Sequence, residues 1–479
     1  MPGESKNPPT VLKSESDFRT ALRKPGEYES EVQTDPRVFE RISMGLYREP
    51  ASAIRELISN AYDADAAWVR IHTEQPNFSK ITVEDNGVGM SPDVIKRLIR
   101  NVGGSLKQET AGKRLGLSGK EPGFSPGGRR LIGRMGIGLY SVARLTTTFR
   151  ITTTQENSNL RYIIDFSLLP IADAEAPTVE DNKDTYVAGH VQVRTETIAK
   201  KEDIKGHGTL IELKDVGADA RRVLQSIDRW ESYDKLDDER AKQKWFNWHI
   251  ARMSPDGTVK VADEKLPWET EELRQTPLTP IEKFKALLEA LSAPEQQISS
   301  NPSIYYTLDY YLAMLWKISL SAPLEYVERD PFDLTLGSAI DFYSLKGDAT
   351  PDAVALARGV SIGRKLGVAA EGESPTPFSV EIDGLELRRP VLFRGITQDG
   401  KRLLTRPKLF VGKFSDKDDQ GRRVSFTAYF YWNYQIIPKE NNGILVRING
   451  ASGTLFDKEF LDFRTSEMYR LRQVSAEVF

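Results

Sequence analysis

The feature that most constrains this 479-residue chain is a strand pattern, Lys80 to Glu84, that runs straight into Asp85-Asn86-Gly87-Val88-Gly89-Met90. A carboxylate at the end of a strand can accept a hydrogen bond from an exocyclic amine, and the two glycines leave bare backbone that a flat ring can approach. Alone, the segment would read as an ordinary Asp-Gly turn, so its surroundings decide. Upstream, the stretch Ala51 to Ala64 has an apolar stripe at Ile54, Leu57, Ile58 and Ala61, the spacing of a helix with one buried face. Opposite the stripe stand Glu56, Asn60 and Asp63 on one side of that helix. Downstream, Gly133-Arg134-Met135-Gly136-Ile137-Gly138 directly precedes a helix, which presents unobstructed N–H groups as a phosphate cradle. Gly206-His207-Gly208-Thr209 then opens a late strand, where the Thr hydroxyl could tie to Asp85 through water.

Composition narrows the class. No run of 18 or more apolar residues occurs, so no membrane-spanning helix is expected. There is no Cys, which excludes disulfides and thiolate metal sites, and the opening MPGESKNPPT has no apolar signal segment. A cytoplasmic location is the expectation. Lys and Arg total 66 against 69 Asp and Glu, so no global field draws the molecule onto nucleic acid.

Residues 1–35, with Pro8, Pro9 and little periodicity, read as a mobile arm. A helix is expected from Thr34-Asp35-Pro36 through Tyr47, then the helix 51–64, strands at 68–72 and 80–84, and a helix opened by Ser91-Pro92. From Gly103 to Arg134 seven bases face two acids among many glycines, the pattern of a long mobile loop. A short helix (137–145) and strands at 149–153, 162–166, 190–195 and 208–213 complete one α/β unit. Beyond Gly217 helices are expected at 221–232, 240–253, 280–292 and 304–320. Tyr305, Tyr306, Tyr310, Tyr311 and Trp316 read as core aromatics, because only Lys317 lies among them where a base-stacking platform interleaves cations. From about Asp330 the chain turns β-rich, most clearly along Val424 to Tyr434. Val474, Ala476 and Val478 alternate with polar residues up to Phe479, and an ending in mid-strand suggests that the natural chain is longer.

As an ordered set, helix Glu-x3-Asn-x2-Asp, strand-Asp-x-Gly-x-Gly, loop, Gly-x2-Gly-x-Gly and Gly-Thr-strand resembles the GHKL ATPases, the superfamily of gyrase B, the large heat-shock chaperone, sensor histidine kinases and mismatch-repair MutL. Residues 51–67, 81–104 and 131–153 carry the resemblance, and the third of these with 208–215 is most similar to the chaperone branch. None of the four His (His72, His190, His207, His249) precedes an acid on a helix, so the kinase branch is not expected.

The resemblance implies a Bergerat-type ATP-binding α/β sandwich over 36–216 with a lid at 103–132. After it come a helical insertion or subdomain (217–329) and a β-rich α+β transducer-like domain (330–479). It implies that Glu56 is the general base on the attacking water and that Asn60 is the Mg²⁺ ligand, its amide oxygen being a hard donor. Asp85 would read the adenine amine, with Gly87, Gly89 and Met90 beneath the base and Thr209 in support. Gly133, Gly136 and Gly138 would contact phosphate, and Lys107 of the lid would approach it. A cation from the second domain would reach the γ-phosphate, with Arg364, Lys365 and Lys401 as candidates by domain position alone. The expected function is a Mg²⁺-dependent ATPase that dimerises on ATP and acts on a macromolecular client. The alternatives are an ATP-gated nucleic-acid clamp of the MORC or MutL kind and a nucleotide-gated scaffold with negligible turnover.

Overall fold

A computed structural model describes residues 9–34, 49–100, 123–133, 138–169, 186–198, 206–237, 247–261, 266–269, 277–292, 303–347, 350–369, 376–394, 406–417, 420–452, 455–457, 470 and 472–479. The chain divides into two compact units, the first of Met1–Ile227, Asp256–Thr258 and Pro375–Gly384, the second of Asp228–Pro255, Val259–Ser374 and Leu385–Phe479. The helix expected through Tyr47 falls outside the described residues.

The first unit is a mixed sheet with helices packed on it. Its strands are β1 (Thr10–Val11), β2 (Gly26–Thr34), β3 (Trp68–His72), β4 (Ile81–Asp85), β5 (Thr148–Thr154), β6 (Leu160–Leu168), β7 (Tyr186–Thr197), β8 (Gly208–Lys214) and β9 (Ser379–Ile382). They lie in the order β1-β2-β7-β6-β5-β8-β4-β3-β9. The pairs β1·β2 and β3·β9 are parallel and the rest antiparallel. Its helices are α1 (Glu15–Ala21), α2 (Pro50–Asp63), α3 (Pro92–Arg100) and α4 (Ala218–Leu224). The expected stripe of α2 is the buried one: Ile54, Leu57, Ile58 and Ala61 are at most 2 % exposed. With Val69, Ile71, Ile81, Val83, Ile151 and Ile211 of the sheet they form the apolar layer that holds helix to strands. Pro50 opens α2 at a position whose N–H has no helical partner in any case.

Three expectations for this unit are corrected. The stretch expected as a mobile arm supplies β1, α1 and β2 between Thr10 and Thr34. Ser14 and Asp17 close a capping box at the start of α1, and Leu12, Phe18, Leu22 and Tyr28 are buried, which is enough apolar surface to hold the segment down. The described part of the expected mobile loop, 123–133, is anchored. Asp65 accepts from Ser125 Oγ (2.5 Å) and Gly127 N (2.7 Å), and the Arg129 side chain is fully buried. The helix at 137–145 is a 3₁₀ helix, Gly138–Arg144, packed on α2.

β9 was not expected at all. It pairs in register from Ser379 opposite Trp68 to Ile382 opposite Ile71, and Val380 and Ile382 are fully buried. Beyond its end Asp383 accepts from Thr73 N (2.8 Å) and Thr73 Oγ1 (2.5 Å), across 310 residues of sequence.

The second unit centres on a six-stranded sheet in the order 352–353, 341–344, 408–417, 423–432, 474–478, 443–446. One face carries a core of Phe332, Ile340, Phe342, Leu409, Val411, Tyr429 and Tyr431. Here Glu477 of the last strand is fully buried with Arg447, whose Nε donates to it at 2.5 Å, and Tyr326 O–H donates to the same carboxylate at 3.0 Å. Burial would raise the Glu477 carboxyl, but Arg447 and Arg389 hold it below the usual carboxylate range.

Helix 280–292 is present as expected. The expected 221–232 helix breaks at Ser226, whose φ of 56° cannot continue a helix. The expected 304–320 helix is two, Ile304–Thr307 and Tyr310–Ser321, because Leu308 is extended and Asp309 caps the second by accepting from Leu312 N at 2.8 Å. Residues 247–253 are not helical, and Arg252–Met253 instead pairs with Val259–Val261. Of the aromatics read as core, Tyr311 and Trp316 are, whereas Tyr305 and Tyr306 are 42 % and 70 % exposed.

Thr73 is fully buried, so removing its partner leaves its N–H and hydroxyl without acceptors. Asp383→Ala should cost ~1–3 kcal/mol and speed amide exchange in both Trp68–His72 and Ser379–Ile382. Unchanged exchange in either strand would show that the β3·β9 pair does not depend on this carboxylate.

Candidate functional site

β4 delivers Asp85 to the end of the sheet, directly opposite Thr209 of β8. The Asp85 carboxylate accepts from Gly87 N at 2.8 Å. Thr209 Oγ1 lies 3.2 Å from Thr153 Oγ1, which accepts from Met90 N at 3.0 Å and donates to the Gly208 carbonyl at 3.0 Å. Thus Asp85, Gly87, Met90 and Thr209, chosen from sequence, lie in one hydrogen-bonded cluster. Two residues that sequence reasoning passed over complete it: Thr153 of β5, and His207, whose Nδ1 is 2.6 Å from the Gly87 carbonyl. Thr153 was hidden as one of several threonines in a strand, and His207 was seen only as part of a Gly-His-Gly-Thr string.

Glycine is required where the backbone crowds. At Gly89, with φ of +69°, a Cβ would come 2.0 Å from the Thr154 carbonyl oxygen, and at Gly208, with φ of +130°, 2.1 Å from that of Asp85.

The helix of the polar row docks on this turn, since Val88 N donates to Ala64 O at 2.9 Å just past the end of α2. Glu56 and Asn60 are half-buried one turn apart on α2. Asp63 parts company with them: it is 4 % exposed, and its carboxylate accepts from Ile132 N and Gly133 N, both at 2.9 Å. It therefore tethers the first glycine of the cradle segment to α2. Gly138 begins the 3₁₀ helix, and Gly136 and Lys107 lie outside the described residues.

The donor set suits a nucleotide. A carboxylate flanked by hydroxyls accepts from an amine, and bare glycine backbone lies next to it. Among the described residues no group of three His, Asp or Glu is placed to hold a metal ion. A lone amide such as Asn60 fits a Mg²⁺ ion that takes its other ligands from phosphate and water. A cavity of about 590 Å³ lies elsewhere in the unit, lined among others by Lys13, Glu29, Glu31, Arg100 and His190, and includes none of the expected site residues.

Burial pushes the Asp85 carboxyl up to about 6, with Glu84 adding to the rise, while the Gly87 and Thr209 N–H groups and His207 pull the other way. A carboxyl that ionises less readily folded than unfolded lends stability at low pH, and that stability is lost as pH rises through about 6. Asp85→Asn should therefore gain stability relative to the parent, by roughly 1–1.5 kcal/mol, between pH 5 and pH 7.5 in the absence of ligand. Thermal melts of the two proteins at both pH values check this, and a pH-independent difference would contradict it.

Comparison with known proteins falls on the same region. Residues 47–202 match the family described as "Histidine kinase-, DNA gyrase B-, and HSP90-like ATPase". The chaperone protein HtpG of Chlorobium phaeobacteroides is 30 % identical over 150 residues, covering 28 % of this chain and 22 % of that protein. The DNA mismatch repair protein MutL of Streptococcus mutans is 40 % identical over 66 residues, 14 % of this chain and 10 % of its own. A putative type II restriction enzyme HgiDII of Herpetosiphon aurantiacus is 25 % identical over 134 residues, 28 % of this chain and 20 % of that one. The chain thus spans about a fifth or less of the length of these curated relatives. With an Asp85 turn docked on the polar-row helix and a family match over 47–202, this chain carries a domain of the histidine kinase-, DNA gyrase B- and HSP90-like ATPases.

Proposed function

We propose that this chain is a Mg²⁺-dependent ATPase whose nucleotide state drives association of two copies and action on a macromolecular client. The observation that carries the reading is the half-buried Asp85 carboxylate, opposite Thr209 in the strand pair and followed by a turn with glycine at 87 and 89. Asp85 accepts the adenine amine, and Gly87, Gly89 and Met90 pass beneath the base. Gly133, Gly136 and Gly138 donate N–H groups to the phosphates, with Asp63 fixing where that segment starts and Lys107 closing over it. Asn60 holds Mg²⁺, which neutralises charge on the phosphates. Glu56, one turn away on the same helix, takes the proton of the attacking water. Phosphoryl transfer depends on positioning and charge stabilisation rather than on covalent help from the protein.

A protein client is favoured by the likeness to HtpG, named as a chaperone. The second reading, an ATP-gated nucleic-acid clamp, draws support from the relatives named for DNA mismatch repair and restriction. The net charge of −3 weighs against strong binding to DNA. Salt-titrated binding to DNA and RNA, with and without a non-hydrolysable ATP analogue, separates the two.

Glu56→Ala should bind ATP nearly as the parent does and turn it over ~10² to 10⁴-fold more slowly. Asp85→Asn should lose ATP binding, since an amide that offers its NH₂ to the adenine amine repels it. Loss of binding in Glu56→Ala, by calorimetry, would remove the base role. Light scattering should show the mass of a dimer with the ATP analogue and less of it with ADP. A monomer at every concentration with the analogue bound would rule out nucleotide-driven association.

A further inference from the structure

We propose that His207 is a positioning residue of the nucleotide site, holding the turn beneath the base through the Gly87 carbonyl. The proposal rests on the nucleotide-binding reading above.

The turn from Asp85 to Met90 is pinned residue by residue. Gly87 N donates to Asp85 at 2.8 Å, and Asn86 Oδ1 accepts from Ala67 N (2.9 Å) and Trp68 N (3.0 Å). Val88 donates to Ala64 O and accepts from Glu156 N, each at 2.9 Å, and Met90 N donates to Thr153 at 3.0 Å. The Gly87 carbonyl is met by His207 Nδ1 at 2.6 Å. The backbone that carries His207 is set close to the turn, because Gly208, the next residue, lies against the Asp85 carbonyl closely enough to exclude a Cβ.

A carbonyl oxygen only accepts, so Nδ1 carries the hydrogen that meets Gly87. Holding the turn therefore needs a donor at this place and not an imidazole as such.

The test uses the full chain, ATP calorimetry at pH 8, and the variants His207→Asn and His207→Ala. An Asn amide can place an N–H where the imidazole Nδ1–H stands. The parent and His207→Asn should bind alike, with His207→Ala weaker by about tenfold. Parent-like binding by His207→Ala, or an equal loss in His207→Asn and His207→Ala, would overturn the holding role. Should His207→Ala fail to fold, His207→Asn still decides: parent-like affinity with an equal thermal melt shows that a donor suffices, and weakened affinity with an unchanged melt shows that it does not. A parent that binds no ATP would instead overturn the nucleotide reading itself.

Discussion

A helix leaves its last four carbonyls without partners, and the end of α2 is where the first unit meets that requirement. The N–H groups of Ala64, Asp65 and Ala66 turn back onto the carbonyls of Asn60, Ala61 and Tyr62, and Arg129 ties this end to the rest of the unit. Its guanidinium donates to Tyr62 O (3.1 Å) and Ala66 O (2.6 Å), and on its other edges to Thr376 Oγ1 (2.9 Å) and Pro377 O (3.0 Å). Burial disfavours its charge, and the nearby Asp65 and Asp63 carboxylates and the rings of Tyr62 and Phe378, 4.8 and 5.5 Å away, oppose this without cancelling it. One buried side chain thus joins the end of α2, the 123–133 hairpin and the segment leading into β9. Val88 and Asp63 attach the Asp85 turn and the cradle segment to the same helix end. The site residues are held in relation to one another because each is tied to this one terminus.

How much of this could be read from sequence depends on the range over which the signal acts. The Asp85 turn was legible because glycine at a crowded or left-handed position leaves a mark in the sequence itself, and the α2 stripe was legible because its period is local. Arg129 was not. In sequence it is one of seven bases in a glycine-rich stretch, and nothing local distinguishes a guanidinium that will be wholly buried against carbonyls from its solvated neighbours. Asp63 looked like a third member of a functional row because the helix period places it there, yet its partners come from a loop some 70 residues on. The segment 10–34 read as an arm because its order comes from pairing with β7, far along the chain. In the second unit Glu477 read as the polar side of a half-buried strand, and only Arg447 and Tyr326 make it a core residue.

The same contrast separates the polar groups by purpose. Glu477 and Asp309 are buried carboxylates whose partners are protein groups that fix a strand or start a helix. Burial raises the Asp309 and Asp85 carboxyls alike, each to about 6, so the shift does not tell the two apart. Their settings do. Asp309 accepts from Leu312 N and Ile250 N inside the second unit, whereas Asp85 stands half-buried at a strand end, accepts from Gly87 N and has bare glycine backbone beside it.

The late arrival of β9 carries a consequence for how the protein is made. The edge of β3 and its partner at Asp383 are separated by 310 residues, so a chain leaving the ribosome at ~5–20 residues per second exposes that edge for roughly 15–60 s before its cover exists. During that interval Val69 and Ile71 lie beside an open row of backbone donors and acceptors, the form of surface that pairs with any strand it meets. The nucleotide domain is therefore not a segment that can be cut from the front of the gene. Its last strand is translated well after the rest of its sheet, and cells that make the protein must keep an unfinished edge from finding the wrong neighbour until residue 383 emerges.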